Sequence, residues 1–147
     1  MKATPSGWPR ISSSVVYEDP AKAIDWLCSA FGFEVRLKVE GDDGAIHHSE
    51  LVFGEGVVML GSGSREATYR KKSPRQLGGA NTQSMMVYVD DVEAHCARAR
   101  AAGATIATGP ETHDYGDEYW SDRMYEAVDL EGHHWWFTQR LRSPNAK

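Results

Sequence analysis

Long hydrophobic runs are missing from this chain of 147 residues, and both cysteine and basic charge are scarce. No window approaches the roughly 18 apolar residues that a membrane span needs, so an integral membrane protein is excluded. The two cysteines, Cys28 and Cys96, each fall inside a stretch of helical pattern. A secreted disulfide scaffold uses more of them at closer spacing, so the expectation is two thiols in a reducing compartment. Neither has a histidine beside it that would mark a nucleophile. The net charge of −5 argues against nucleic acid, whose binding needs a basic face to displace counterions. The one basic cluster, Arg70-Lys71-Lys72 with Arg75, adjoins Ser73-Pro74 and reads as a solvated linker. Met1 to Arg10 carries Pro5, Gly7 and Pro9 without an apolar stretch, which predicts no secretory leader. Also absent are a Cys-x-x-Cys pair, a Gly-rich phosphate loop and a Ser-His-Asp order with an oxyanion motif. Gly61-Ser62-Gly63-Ser64 lacks the lysine and the strand-to-helix setting of a phosphate loop. These absences leave a soluble, cytoplasmic protein.

The chain does hold 41% hydrophobic residues and five tryptophans, enough for a real core. It also holds a repeat. Ser13-Ser14-Val15-Val16-Tyr17-Glu18-Asp19 leads into a helical stretch ending at Gly32, and Ser84-Met85-Met86-Val87-Tyr88-Val89-Asp90 leads into one ending at Gly103. The spacing between the two copies is 71 residues, from Asp19 to Asp90 and from Gly32 to Gly103. Each copy opens with a strand of β-branched and aromatic residues. Asp19 is placed to cap the first helix with Pro20 at its first position, and Asp90 or Asp91 to cap the second. Ile24, Leu27, Cys28 and Phe31 form one apolar face; Val92, Cys96 and Ala99 form a weaker one. Three strands are expected after each helix: about 33–40, 45–53 and 57–61, then about 105–108, 119–129 and 133–139. The fold class is therefore α+β, two tandem βαβββ modules. They make one domain over 8–142: module one about 8–64, a linker about 62–80, and module two about 81–142.

In this arrangement the chain resembles the vicinal-oxygen-chelate superfamily of glyoxalases, bleomycin-resistance proteins and extradiol dioxygenases. The resemblance rests on the strand running into Val87-Tyr88-Val89-Asp90-Asp91-Val92, on Ala99-Arg100-Ala101-Ala102-Gly103-Ala104, and on Tyr115-Gly116-Asp117. It ends on Asp129-Leu130-Glu131-Gly132-His133, where Leu130 replaces the usual proline. It implies curved mixed sheets forming a cup around a ligand, and a homodimer. Enzymes of the family hold one divalent metal through His, Glu or Gln from four strands. Here the matching positions, the first pair counted seven residues back from Asp19 and Asp90, are Ser12, Gln83, Met59 and Trp136. Only Gln83 is a usable ligand for a hard cation, so no metal and no other cofactor is expected.

The richer feature is aromatic. Trp136 at a ligand position implies an inward side chain, with His134 and Thr138 beside it and Trp135 and Phe137 facing a helix. Tyr125, Met85 and Met59 are read as cup lining, and Arg123, six residues before Asp129, as a cup-facing cation. Pairing through the Gly54-Glu55-Gly56 turn puts His47 on the face of Met59, and His48 away from it. His95 reads as surface or core filler, His113 as a solvated residue of a polar loop, and Tyr115 to Glu118 as an acidic loop with the option of gating the cup. Three functions stay open. The favoured one is metal-independent binding of a small apolar or aromatic molecule by Trp136, Arg123, Met59, His47, Gln83, Met85 and Tyr125. The second is a metal-dependent lyase, isomerase or dioxygenase with relocated ligands, or a metal-free catalyst using His47 as base. The third is a module whose cup is filled by its own side chains.

Overall fold

A computed structural model of the chain describes residues 1–63 and 70–144. Two compact units divide it, Met1–Ala80 and Asn81–Lys147. The linker predicted over 62–80 lies partly outside the described residues; within its described part, Pro74–Leu77 forms a 3-10 turn.

The first unit contains β1 (Ser13–Tyr17), α1 (Pro20–Phe31), β2 (Glu34–Glu40), β3 (Ile46–Phe53) and β4 (Gly56–Ser62). Its sheet order is β1-β4-β3-β2, with β1 parallel to β4 and the other pairs antiparallel. Asp19 accepts from Lys22 N and Pro20 begins the helix, so the first orphan donors are answered at once. Gly32 ends it at φ 82°, a left-handed conformation that costs a side-chain-bearing residue steric strain. Ile24, Leu27, Ala30 and Phe31 of α1 are buried, as are Val15, Tyr17, Leu51 and Leu60 of the sheet. One face of the sheet is thus core. The other, called here the open face, carries function or solvent.

The second unit repeats the plan with β5 (Ser84–Tyr88), α2 (Val92–Ala101), β6 (Thr105–Asp114), β7 (Ser121–Val128) and β8 (His134–Arg142), in the order β5-β8-β7-β6. Both modules are therefore βαβββ, as the sequence pattern implies. Several boundaries differ from expectation, β7 starting at Ser121 rather than 119 and β8 running to Arg142 rather than 139, and the largest difference is in β6. β6 runs to Asp114 rather than stopping near 108, through a register shift between Thr108 and Glu111 that takes up Gly109 and Pro110. Proline removes a ladder donor, but β6 is an edge strand and a bulge absorbs the defect. His113, read as a loop residue, is consequently in a strand.

Candidate functional site

Strand parity decides which side chains can meet a ligand. In the second unit the helix face is marked by direct contacts to α2. Tyr125 OH lies 2.7 Å from His95 Nδ1, Arg123 Nε donates to Glu93 at 2.6 Å, and Val92 N donates to Gln139 at 3.0 Å. Trp135 and Phe137 share that face, both fully buried and stacked. Burial, with the nearby Cys96 thiol adding to it, pushes the Tyr125 phenol far above its ordinary range.

Register then assigns the open face. Trp136 pairs with Met86 on β5 and Glu126 on β7, and Thr138 pairs with Tyr88 and Met124. The open face thus carries Met86, Tyr88, Met124, Glu126, His134, Trp136, Thr138 and Arg140. Three expectations are corrected. Met85, Tyr125 and Arg123 all point to α2, so none lines the open face; Arg123 is held by Glu93 and Thr112. For Met85 the slip comes from the helix cap. The helix is capped by Asp91, which accepts from Ala94 N, not by Asp90. The modules therefore correspond through Asp19 and Asp91, one residue beyond the apparent repeat, and one residue inverts every side chain on a strand. Counting seven back from the true cap gives Ser84 rather than Gln83, which precedes β5 and is exposed.

The polar groups of this face are ordered. Arg140 Nε donates to Asp122 at 2.6 Å and its terminal nitrogen to Tyr88 OH at 2.7 Å. Its guanidinium lies 5.6 Å from the Tyr88 ring centroid and 5.4 Å from that of Trp120. Asp122 is nearly buried, so the pair is a fixed feature. His134 Nδ1 is joined to Glu126. Met86, at 57% exposure, Tyr88 and Trp120 leave apolar surface uncovered.

In the first unit Glu50 pairs with Met59, so His48, not His47, shares the Met59 face. His47 instead packs over the 41–44 turn, where any side chain at Gly41 would collide with its Nε2. Starting the alternation from the hairpin turn displaced it by one residue. Ser14 is on this open face too, since it pairs with Met59, and Ser12 precedes the strand. Glu50, missed by sequence reading, is its centre: Arg36 Nε donates to it at 2.7 Å and His48 Nε2 lies 3.0 Å away. The His48 hydrogen bond, joined by Arg36 and opposed by burial, holds the Glu50 carboxyl below the ordinary carboxylate range. Arg36 sits on a bulge, stacks 4.5 Å from the Trp8 centroid and donates to Gly7 O. The N-terminal arm thereby flanks the open face above a cleft of about 500 Å³, floored by Val52 and Val57. The alternation Arg-x-Lys in β2 hints at surface charge, and nothing in sequence links Arg36 to a carboxylate fourteen residues on.

The residues at the positions where family enzymes hold a metal do not fit one. Ser12 and Ser84 are weak neutral donors, Met59 is a soft thioether and Trp136 has no free lone pair. Among the described residues no group of three or more His, Cys, Asp or Glu side chains converges.

This plan of paired βαβββ sheets is that of one family, and the comparison is direct: the chain belongs to the Glyoxalase/Bleomycin resistance protein/Dioxygenase superfamily, whose model matches residues 11–137. It is similar to an uncharacterised protein of Mycobacterium bovis, 35% identical over 138 residues, covering 93% of this chain and 87% of that one. Among solved structures it resembles TioX from Micromonospora sp. ML1, 34% identical, covering 89% and 95% of the two chains with a TM-score of 0.68. A superfamily member from Sphaerobacter thermophilus shares the fold at 19% identity, coverage of 87% and 94%, and a TM-score of 0.66. No helix among the described residues is long and apolar enough to cross a membrane.

Proposed function

We propose that the protein is a metal-independent binder of a small, flat aromatic molecule, acting in the cytoplasm as a homodimer. The observation that carries this is the pair of fourth-strand positions, Met59 and Trp136. Both lie on open faces where a family enzyme places a metal donor, and both offer a contact surface instead. A soft thioether and an indole favour dispersion and stacking with a π-system, worth about 1 kcal/mol per ring contact. Trp136 with Met86 and Tyr88 supplies the apolar area, while Arg140 and His134 supply the few polar groups that orient a ligand.

Tryptophan fluorescence of protein purified without a metal-affinity tag, titrated with a panel of bicyclic aromatics, tests the reading. Saturable quenching is expected, lost in W136A and unaffected by chelator. Stoichiometric, tightly held Ni, Mn, Zn or Fe in the purified protein would overturn it. One observation favours a catalytic alternative: each open face holds a His–carboxylate pair, His48 with Glu50 and His134 with Glu126, the arrangement of a general base. Turnover of hemithioacetals would establish that alternative.

A further inference from the structure

Thr138 is the one residue of the second open face whose chemistry is left incomplete. It is fully buried, and its Oγ1 has no hydrogen-bond partner among the described residues. Its backbone carbonyl is used, accepting from Val89 N, so only the hydroxyl is idle. A buried hydroxyl without a partner costs stability, and valine would fill the same volume without that cost. Its place is central. Tyr88 and Met124 are its cross-strand partners, and Trp136 and Arg140 are its neighbours along the same face of β8.

From this placement we propose that the site selects an aromatic ligand bearing an uncharged carbonyl, whose oxygen accepts the Thr138 hydroxyl. The inference rests on the binding reading above and gives its ligand class. The carbonyl is uncharged because of the surroundings. Register puts Glu111 and Asp122 on the same face as Glu126, and each is matched there: Asp122 with Arg140, Glu126 with His134 and Glu111 with His113, so no cation of the face is left over. A carboxylate ligand would find no free counter-charge there, whereas an amide, ketone or lactone needs none. Reaching a covered hydroxyl requires a side chain to leave. The side chain proposed to leave is Trp120, which is 37% exposed, lies 5.4 Å from the guanidinium of neighbouring Arg140 and belongs to the loop between β6 and β7. The ligand ring takes the place of that indole on Arg140, and Trp120 is therefore a competitor for its own site.

Calorimetric titration with three probes tests this: 2-naphthamide, 2-naphthoate and 2-naphthylmethylammonium, which has no acceptor. Wild type is expected to bind the amide most tightly. T138V should weaken the amide about tenfold, the equivalent of one hydrogen bond, and leave the ammonium unchanged. T138V should also melt higher than wild type, which shows that it folds. W120A should bind the amide more tightly than wild type. If T138V binds the amide as wild type does, or if naphthoate binds best, the carbonyl inference is overturned while the binding reading stands. If neither wild type nor W120A binds any probe, the binding reading itself fails and takes the inference with it.

Discussion

Asp129 shows how much a single carboxylate does in this chain. Its Oδ1 accepts from Glu131 N and His133 N, each at 3.0 Å, and its Oδ2 accepts from the indole of Trp135 at 3.0 Å. The turn into β8 and the largest buried side chain of the second core hang on one residue. Asp129→Ala is expected to cost about 3 kcal/mol or more, read as a shift in urea midpoint, because three buried donors lose their acceptor together. Asp129→Asn should recover part of the loss. The motif around Asp129 was legible in the sequence as a turn, but its bond to Trp135 was not. A side chain six residues on is within reach only once β8 has its direction.

Among the elements, the helices were the most legible and the strand faces the least. Asp19, Pro20 and Gly32 state the start and stop of α1 without ambiguity, since each answers a local backbone need. In the second module two aspartates stand side by side, and only the folded chain selects Asp91. Asp91→Ala should destabilise the protein by about 1 kcal/mol, whereas Asp90→Ala should leave the melting temperature nearly unchanged. Thermal melts of the two variants check the assignment and, with it, the parity of β5. The same choice explains Met85. His47, counted from the hairpin turn, and Arg123, taken from its spacing to Asp129 with Tyr125 two residues on, were misplaced separately, because alternation carries any error of one undiminished. Glu50 with Arg36 was beyond reach altogether, being a pairing across a bulged strand.

For the whole molecule, the buried Glu50 pair gives the pH dependence of stability its acid limb. The native pKa lies below the ordinary value of 4.5, so ionised Glu50 favours the folded state. Its contribution is complete above 4.5 and is lost as pH falls through the lowered native value. Denaturation curves between pH 6 and pH 2 should show this loss, and E50Q should flatten it. Equal slopes in E50Q and wild type would exclude Glu50 as the source.

With Trp8, Trp26 and Trp120 replaced by phenylalanine, the two adjacent tryptophans would give a ratio of optical signals within one spectrum. Trp135 is sealed in apolar surroundings with its indole N–H on a carboxylate, and Trp136 faces the other way. The first should emit at short wavelength and stay silent when a molecule arrives. The second should respond. A binding event is therefore expected to change the shape of the emission band and not merely its height, so that ligand occupancy and unfolding can be told apart in a single sample.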